Sequence, residues 1–286
     1  MKHPLILSAF LVIALTSCDS ANEPAPSGPN LIFKFQFDEN QTRYDSFGNV
    51  STVPVGNAAQ TPRFNTISGH YVELIPTALT ALGAGEIVYQ GPETEAGGDN
   101  AINFDEAAVV TENEVFTSIP LSEVAAGTYE FVRVSVSYQN YDIDYNALSF
   151  DLTGTIASFV GFNTYISNYQ VKDLTVTVND DKLQGYWAFE SAGTLNQGQA
   201  PVGATTVFNP LFATSPIPAG SCLVTGAFQE PLVVDGDETE DIVVVLSVST
   251  NQSFEWTDPD GNGVYNPLDG DVPVDMGLRG MEAYIE

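Results

Sequence analysis

The amino-acid sequence predicts an all-β protein, built as one elongated or two packed antiparallel β-sandwich units with few short helices. Many segments alternate apolar and polar residues with a period of two, which is typical of half-buried strands. Turn-forming Asn, Asp and Gly residues separate these segments, and no stretch sustains the 3.6-residue apolar period of a helix. With 43% hydrophobic and 11% aromatic residues, the 286-residue chain is expected to bury a packed core.

The chain begins with a segment typical of a secretory signal. Met1-Lys2-His3 precedes a short apolar run that ends at Leu15-Thr16-Ser17-Cys18, and this run is too short to span a bilayer comfortably. The last four residues resemble the lipobox of bacterial lipoproteins. The resemblance implies that residues 1–17 are removed as a signal peptide and that Cys18 receives acyl chains. The alternative is an ordinary signal peptide with a Cys near its end by chance.

Residues 18–30 are polar and rich in proline, which indicates a flexible tether between the acylated Cys18 and the folded part. In overall texture the chain resembles cell-envelope lipoproteins of Bacteroidota, which are rich in Asn, Thr, Tyr and Gly. The resemblance implies secretion across the inner membrane. It also implies attachment to the cell envelope through acyl chains, on either the periplasmic or the surface face of the outer membrane.

The clearest strand patterns lie at Leu31–Phe37, where Leu31, Phe33, Phe35 and Phe37 share one face, and at Val132–Tyr138. Ile242–Val248 is a continuous apolar run, as in a strand with both faces buried. Further strands are predicted at Tyr71–Ile75, Glu86–Gln90, Leu148–Ile156, Leu174–Val178, Tyr186–Phe189 and Leu223–Phe228. Turns are predicted at 126–127, 179–181 and 235–237, and a short helix at Leu79–Leu82 or Leu121–Ala125.

An uncharged stretch at 191–204 with little hydrophobic pattern suggests a boundary between two units. The expected division is a β-sandwich domain at 31–190 and a smaller β unit at 204–286. The alternative is a single domain spanning 31–286, in which 191–204 is a long loop.

The chain is strongly acidic, with 37 Asp and Glu against 8 Lys and Arg and a formal net charge of −29. This balance argues against nucleic acid as a partner, because phosphate backbones are bound by cationic surfaces. An acidic surface suits cations such as Ca²⁺ and neutral ligands such as sugars. The alternative explanation is solubility outside the cell, where net charge prevents association.

The segment 258–269 has the oxygen-ligand spacing of a calcium loop. Oxygen-bearing side chains fall at its positions 1, 3, 5, 9 and 12, glycine stands at position 6, and position 7 would supply a backbone carbonyl. The predicted ligands are Asp258, Asp260, Asn262, Val264, Asn266 and Asp269. The segment resembles the calcium loops of dockerins and thrombospondin type-3 repeats, which implies a structural Ca²⁺ in an extracellular protein.

The same segment departs from an EF-hand in three ways. Position 12 is Asp269 rather than Glu, Tyr265 takes a position where an aliphatic residue is usual, and Pro267 with Gly270 prevents a following helix. The alternative is a polar turn that joins two strands without metal. A second acidic segment at 235–241 lacks regular ligand spacing, and we interpret it as a solvated hairpin tip.

Aromatic residues beside amides and carboxylates indicate a carbohydrate site, because sugar faces stack on exposed rings. The candidate ligand-binding residues are Tyr138, Tyr141 and Tyr145, which lie close together in the sequence. The alternative is that such rings form the core of a sandwich, and we expect this for Trp187 and Trp256.

No catalytic motif marks a nucleophile, so we expect a binding or structural module of the cell envelope rather than an enzyme. His70 is expected on a surface or turn, and Cys222 as a small buried apolar residue. Two alternatives remain open. One is a polysaccharide hydrolase or lyase that acts through carboxylates or a tyrosine, and the other is a purely adhesive surface protein.

Overall fold

The structure, a computed structural model, describes residues 28–45, 48–200, 218 and 220–286. The predicted signal peptide 1–17, Cys18 and most of the tether 18–30 lie outside this part of the chain. Within it, no helix combines the length and the apolar character needed to cross a membrane.

The described residues are nearly all β, which confirms the predicted fold class. Two single-turn 3-10 helices, Phe104–Glu106 and Leu121–Glu123, accompany the strands. The second lies inside the predicted helix Leu121–Ala125, whereas residues 79–82 form turns. The strands are β1 (Asn30–Asp38), β2 (Asn57–Gln60), β3 (Arg63–Ile75), β4 (Glu86–Gln90), β5 (Glu93–Thr94), β6 (Ala101–Asn103), β7 (Val115–Pro120), β8 (Gly127–Ala147), β9 (Phe150–Phe159), β10 (Asn163–Gln170), β11 (Thr175–Leu183), β12 (Tyr186–Ser191), β13 (Thr194–Gln199), β14 (Cys222–Val234), β15 (Ile242–Ser249), β16 (Phe254–Thr257), β17 (Val272–Asp275) and β18 (Met281–Ile285).

An eleven-stranded sheet organises the molecule around β8, which is 21 residues long. One edge of β8 pairs with β3 along most of its length, and its other edge pairs first with β14 and then with β9. Most pairs are antiparallel, but β1–β15, β14–β18 and β6–β10 are parallel. Antiparallel pairing therefore dominates, as the sequence predicts, and the parallel pairs make some of the sheets mixed. Parallel partners are joined by long connections, so local sequence patterns carry no sign of them.

The largest core lies inside this sheet, which curves so that its terminal strands β4 and β7 approach each other. The predicted alternation in β1 is confirmed, since Leu31, Phe33 and Phe35 are fully buried. Phe116 of β7 packs on Tyr89 of β4, with ring centroids 4.9 Å apart, although β7 ends the main strand order and β4 joins that order only through β3 and β8. The burial of these large side chains supplies the main driving force for folding.

The second half of β8, together with β9 and β12, forms the middle of three layers. On one face it packs against the sheet β11-β10-β6-β5, through a core that includes Tyr138 and Phe159. On the other face it packs against the sheet β17-β16-β2, through a core that includes Tyr141 and Trp256. The side chains on both faces of these strands are therefore buried, although a period-two pattern predicts only one buried face.

Two predicted local features were wrong. Residues 179–181, predicted as a turn, lie inside β11, where the pairing with β10 is irregular and Asn179 has a φ of +51°. Leu148, predicted in a strand, lies in the turn between β8 and β9, where Leu148 and Ser149 have φ values of +52° and +66°. Positive φ values suit the two central residues of a tight hairpin, and they are usually supplied by Gly or Asn.

The ranges 31–190 and 204–286 contribute strands to the same sheets. β1 pairs with β15, β8 pairs with β14, and β2 pairs with β16. Both ranges also supply residues to the largest core. Strands from both ranges therefore pair within shared sheets, and the division into domains stays a prediction.

Candidate functional site

The acidic segment predicted to bind calcium forms the connection between β16 and β17. Its backbone is held at its start and near its middle, since Asp258 N–H donates to the carbonyl of Gly56 at 3.0 Å and Asn146 N–H donates to the carbonyl of Tyr265 at 2.8 Å. No helix follows the loop, as Pro267 and Gly270 predicted. We call residues 258–271 the acidic loop.

Three carboxylates of the acidic loop converge. Asp258, Asp260 and Asp271 each place one oxygen within 4.8 Å of the others. Asp271 is buried, with 6% of its surface exposed, and it also accepts a hydrogen bond from the N–H of Asn266 at 2.7 Å. The third carboxylate is therefore Asp271 and not the predicted Asp269, whose Oδ2 accepts from Asn266 Nδ2 at 2.5 Å.

Short-range hydrogen bonds curl the acidic loop around this cluster. Gly263 N–H donates to Asp258 Oδ2 at 2.9 Å, and Asn262 N–H lies 3.2 Å from both Asp258 Oδ1 and Asp260 Oδ1. Val264 N–H donates to Asn262 Oδ1 at 2.6 Å. Gly261 and Gly263 have φ values of +68° and +71°, a conformation that glycine adopts without strain.

Tyr265 fastens the acidic loop to the core. Its ring lies 5.0 Å from that of Phe254 and 5.5 Å from that of Trp256, between ring centroids, and burial raises the pKa of its hydroxyl to about 12. In the sequence, Tyr265 stands out only as a departure from the EF-hand pattern. Its anchoring role had no sequence signal, because its partners belong to β16 and pack on it only in the folded state.

The carbohydrate site predicted at three tyrosines requires exposed rings, and the structure does not expose them. Tyr138 and Tyr141 are 3% and 1% exposed, and Tyr145 is half-buried with its hydroxyl 2.9 Å from Ser191 Oγ. Tyr138 and Tyr141 face opposite cores of the middle layer. Rings buried in this way have no free face on which a sugar could stack.

The two tryptophans differ in exposure. Trp256 is 1% exposed, which confirms the expectation that it belongs to the core, whereas Trp187 is only half-buried. Trp187 lines a cleft of about 550 Å³ between the β12–β13 hairpin and β17. Tyr265 and Pro267 of the acidic loop also line this cleft. We call it the Trp187 cleft.

A second cavity of about 580 Å³ includes Cys222 and Arg279 in its lining. Burial raises the pKa of the Cys222 thiol to about 12, so the thiol stays protonated and is a weak nucleophile at neutral pH. Arg279 belongs to a buried ion-pair group, in which Glu255 binds both Arg43 and Arg279 while Asp275 binds Arg279 at 2.6 Å. Burial raises the pKa of Asp275 although Arg279 lies beside it.

His70 is buried in β3, with 2% of its surface exposed, so the expectation of a surface or turn histidine was wrong. Its Nε2 lies 3.0 Å from Glu93 Oε1, and burial lowers the pKa of the imidazole. Within the described residues, neither imidazole nitrogen hydrogen-bonds to a Ser or Thr hydroxyl. The described part of the chain therefore does not assemble a Ser-His-acid triad around His70.

No protein-family model, curated protein or solved structure significantly matches the chain. The acidic loop and the Trp187 cleft are therefore the features of the described residues that bear on function.

Proposed function

We propose that this chain is a lipid-anchored protein of the bacterial cell envelope, which acts as a binding or structural module and holds a structural Ca²⁺ in its acidic loop. The observation that carries the calcium part is the convergence of Asp258, Asp260 and Asp271 within 4.8 Å. The lipobox-like Leu15-Thr16-Ser17-Cys18 carries the anchor. The proposed ligand class is carbohydrate, at a place other than the buried tyrosines.

The chemistry of the acidic loop supports Ca²⁺ over other cations. Ca²⁺ takes six to eight oxygen ligands in flexible geometry, and the loop offers carboxylates, Asn side chains and turned backbone carbonyls. Asn262 donates through its backbone N–H to Asp258 Oδ1 and through its side-chain Nδ2 to Asp260 Oδ2, so it lies beside the carboxylates of the proposed site. Soft ligands that favour zinc or copper do not occur in this loop.

Electrostatics also favours a bound cation. Three like charges within 4.8 Å repel one another, and Asp271 is largely shielded from water, where screening is weaker. A divalent cation would offset that repulsion and tie β16 to β17 through the loop. Its role would be to stabilise the folded state rather than to take part in a reaction.

The Trp187 cleft does not offer the carboxylate pair that the alternative, a polysaccharide-acting hydrolase, needs. Such enzymes place two carboxyl groups across the scissile bond. The Trp187 cleft contains one described carboxylate, Asp275, and Arg279 holds it in an ion pair. The burial of Tyr138 and Tyr141 favours the purely structural or adhesive version of the proposal over a sugar site at those residues.

The calcium proposal predicts a metal-dependent gain in thermal stability. We expect 1 mM Ca²⁺ to raise the melting temperature by about 5 °C or more over EDTA, since a ligand at 100 times its Kd stabilises by about 2.7 kcal/mol. The measurement is thermal unfolding of the chain from residue 18 onward, carrying Cys18→Ala so that it needs no detergent.

The variant D258N/D260N should lose this shift. The matched control is D237N/E240Q, because both residues are exposed in the other acidic segment, and it should keep the shift. Equal melting temperatures in Ca²⁺ and EDTA, or an unchanged shift in D258N/D260N, would show that the loop is an ordinary acidic turn.

A further inference from the structure

The Trp187 cleft has two walls of different origin. One wall is the groove-facing side of the β12–β13 hairpin, with Trp187 and Phe189. The other is formed by β17 and the acidic loop, with Val272, Tyr265 and Pro267. Val272 is 57% exposed, so an apolar side chain stands at the mouth of the cleft. The volume of about 550 Å³ lies within the range of small-molecule sites, about 300–1,000 Å³.

Two glycines leave room for the aromatic rings of the first wall. Gly198 pairs directly with Trp187, and a Cβ at residue 198 would lie 2.7 Å from Trp187 Cζ2. Gly154, on the neighbouring strand β9, leaves room for Phe189 in the same way, because a Cβ at residue 154 would lie 2.2 Å from Phe189 Cε2. The rings therefore lie over positions that carry no side chain, and a larger residue at either glycine would displace them.

Carboxamides supply most of the polar groups around these rings. Asn196, which pairs with Phe189 in the β12–β13 hairpin, lines the cleft. Gln184 and Gln199 also line it. Gln199 Nε2 donates to the carbonyl of Gln184 at 2.8 Å, and Gln184 Nε2 donates to the carbonyl of Val160 at 2.9 Å. These hydrogen bonds orient both side chains at the edge of the cleft. A carboxamide both donates and accepts, which matches the hydroxyl groups of a sugar.

The charge of the cleft selects a neutral ligand. No Lys, Arg or His is among the described residues that line it, and its one carboxylate, Asp275, is already paired with Arg279. An anionic ligand would enter an acidic protein without a cationic partner, which is unfavourable.

We infer that the Trp187 cleft is a binding site for a neutral saccharide, in which a pyranose face stacks on the indole of Trp187 and hydroxyl groups bond to Asn196, Gln184 and Gln199. The inference rests on the proposed function, because it names the ligand site of the proposed module. Tyr265 and Pro267 belong to the acidic loop, so an ordered loop completes the second wall. Saccharide affinity therefore depends on Ca²⁺.

The test begins with a panel of defined probes. Cellohexaose, xylohexaose, mannohexaose, maltohexaose and laminarihexaose are titrated calorimetrically into the chain from residue 18 onward, carrying Cys18→Ala, in 1 mM Ca²⁺. We expect at least one to bind with a Kd below 1 mM, and the acidic oligogalacturonate of the same length not to bind. The absence of binding by all five neutral probes overturns the inference.

Variants then place the site. Trp187→Ala should weaken the binding of that probe at least tenfold, and Asn196→Ala about threefold, while Phe150→Ala should not change it. Asn196 is exposed, so its replacement leaves the fold intact, and Phe150 is an exposed aromatic control at the β8–β9 turn. Unchanged binding by Trp187→Ala, or binding of the apolar dye N-phenyl-1-naphthylamine in place of every saccharide, overturns the inference.

The same samples separate this inference from the calcium proposal. EDTA should weaken saccharide binding at least threefold in the unmodified protein. If Ca²⁺ raises the melting temperature but no neutral probe binds, the acidic loop is a metal site and the saccharide inference fails alone. If a probe binds equally in Ca²⁺ and EDTA, the proposed link between the loop and the cleft is wrong.

Discussion

Glu190 shows how one buried carboxylate can order a neighbouring turn. It is 4% exposed, and its two oxygens accept hydrogen bonds from the backbone N–H groups of Lys172, Asp173 and Leu174 at 2.9 to 3.2 Å. These three residues connect β10 to β11, so the carboxylate ties this connection to β12. A carboxylate accepts from several donors at once, which offsets the cost of burying its charge.

We expect Glu190→Gln to lower the free energy of unfolding by about 1.5–3 kcal/mol, the value of hydrogen bonds to a charged group. The new amide NH2 would face backbone donors and could not accept from them. Chemical denaturation of the two proteins measures the difference. Glu230→Gln, at an exposed position of β14, is the control and should stay within about 0.5 kcal/mol of the unmodified protein. A Glu190→Gln protein as stable as that control would contradict this role.

The tyrosine cluster shows the limit of reading single residues from sequence. The spacing of Tyr138, Tyr141 and Tyr145 placed all three in one strand, which is confirmed. Their exposure depends on whether one or both faces of that strand are covered, and distant strands decide this. Trp187 was expected in the core for the same reason, and it borders a cleft because β17 stands away from it.

Strand β12 depends on the glycine of its neighbour. Gly154 of β9 is buried beside Phe189, and no other residue type leaves room for the ring there. Phe189 pairs with Ile156, so the pairing of β9 with β12 relies on a small residue diagonally across from a large one. Such complementary pairs are a common means of stabilising neighbouring strands.

We expect Gly154→Ala to destabilise the protein by about 1–3 kcal/mol, the usual cost of overpacking. Combining it with Phe189→Leu should recover part of this loss, because the shorter side chain vacates the space that the new Cβ needs. Chemical denaturation of the two single variants and the double variant measures the coupling. Gly28→Ala, where the new Cβ would meet nothing within 4 Å, is the control. Additive effects in the double variant would show that the ring does not occupy this space.

The acidic loop illustrates what spacing can predict about an element. The pattern of Asp258, Asp260 and Asn262 correctly indicated a tightly turned loop with inward carboxylates, because each residue acts on its near neighbours. Asp271 joins the carboxylate cluster instead of the predicted Asp269 because of the path that the chain takes beyond Tyr265. That path is set by the packing of Tyr265 on Phe254 and Trp256, which a local pattern does not encode.

The described chain is held together by strand pairs that are remote in sequence. Asn30 N–H donates to Asp241 Oδ1 at 2.7 Å, and Leu31 to Asp38 pair in parallel with Ile242 to Ser249. The first described strand therefore begins at Asn30. In the anchor proposal, the dozen or so residues between Cys18 and this strand would reach about 40 Å when fully extended, enough to keep the fold clear of a membrane surface.

The anchor proposal predicts where the protein is found in cells. Cys18→Ala should move it from the membrane fraction to the soluble fraction, because the acidic fold has no electrostatic attraction to anionic lipids. Cell fractionation followed by immunoblotting measures this distribution. Cys222→Ala is the matched control and should stay with the membrane. Retention of Cys18→Ala in the membrane fraction would refute acylation at this residue as the anchor.

The sequence alone was sufficient for the all-β class, for most strand positions and for the shape of the acidic loop. These properties depend on residues a few positions apart, through alternation, turn chemistry and ligand spacing. The parallel pairs, the double-sided burial of β8 and the cleft beside Trp187 arose only when distant strands met. Whether the side chains of a strand are buried depends on the layers that pack against it, and the sequence of the strand does not specify those layers.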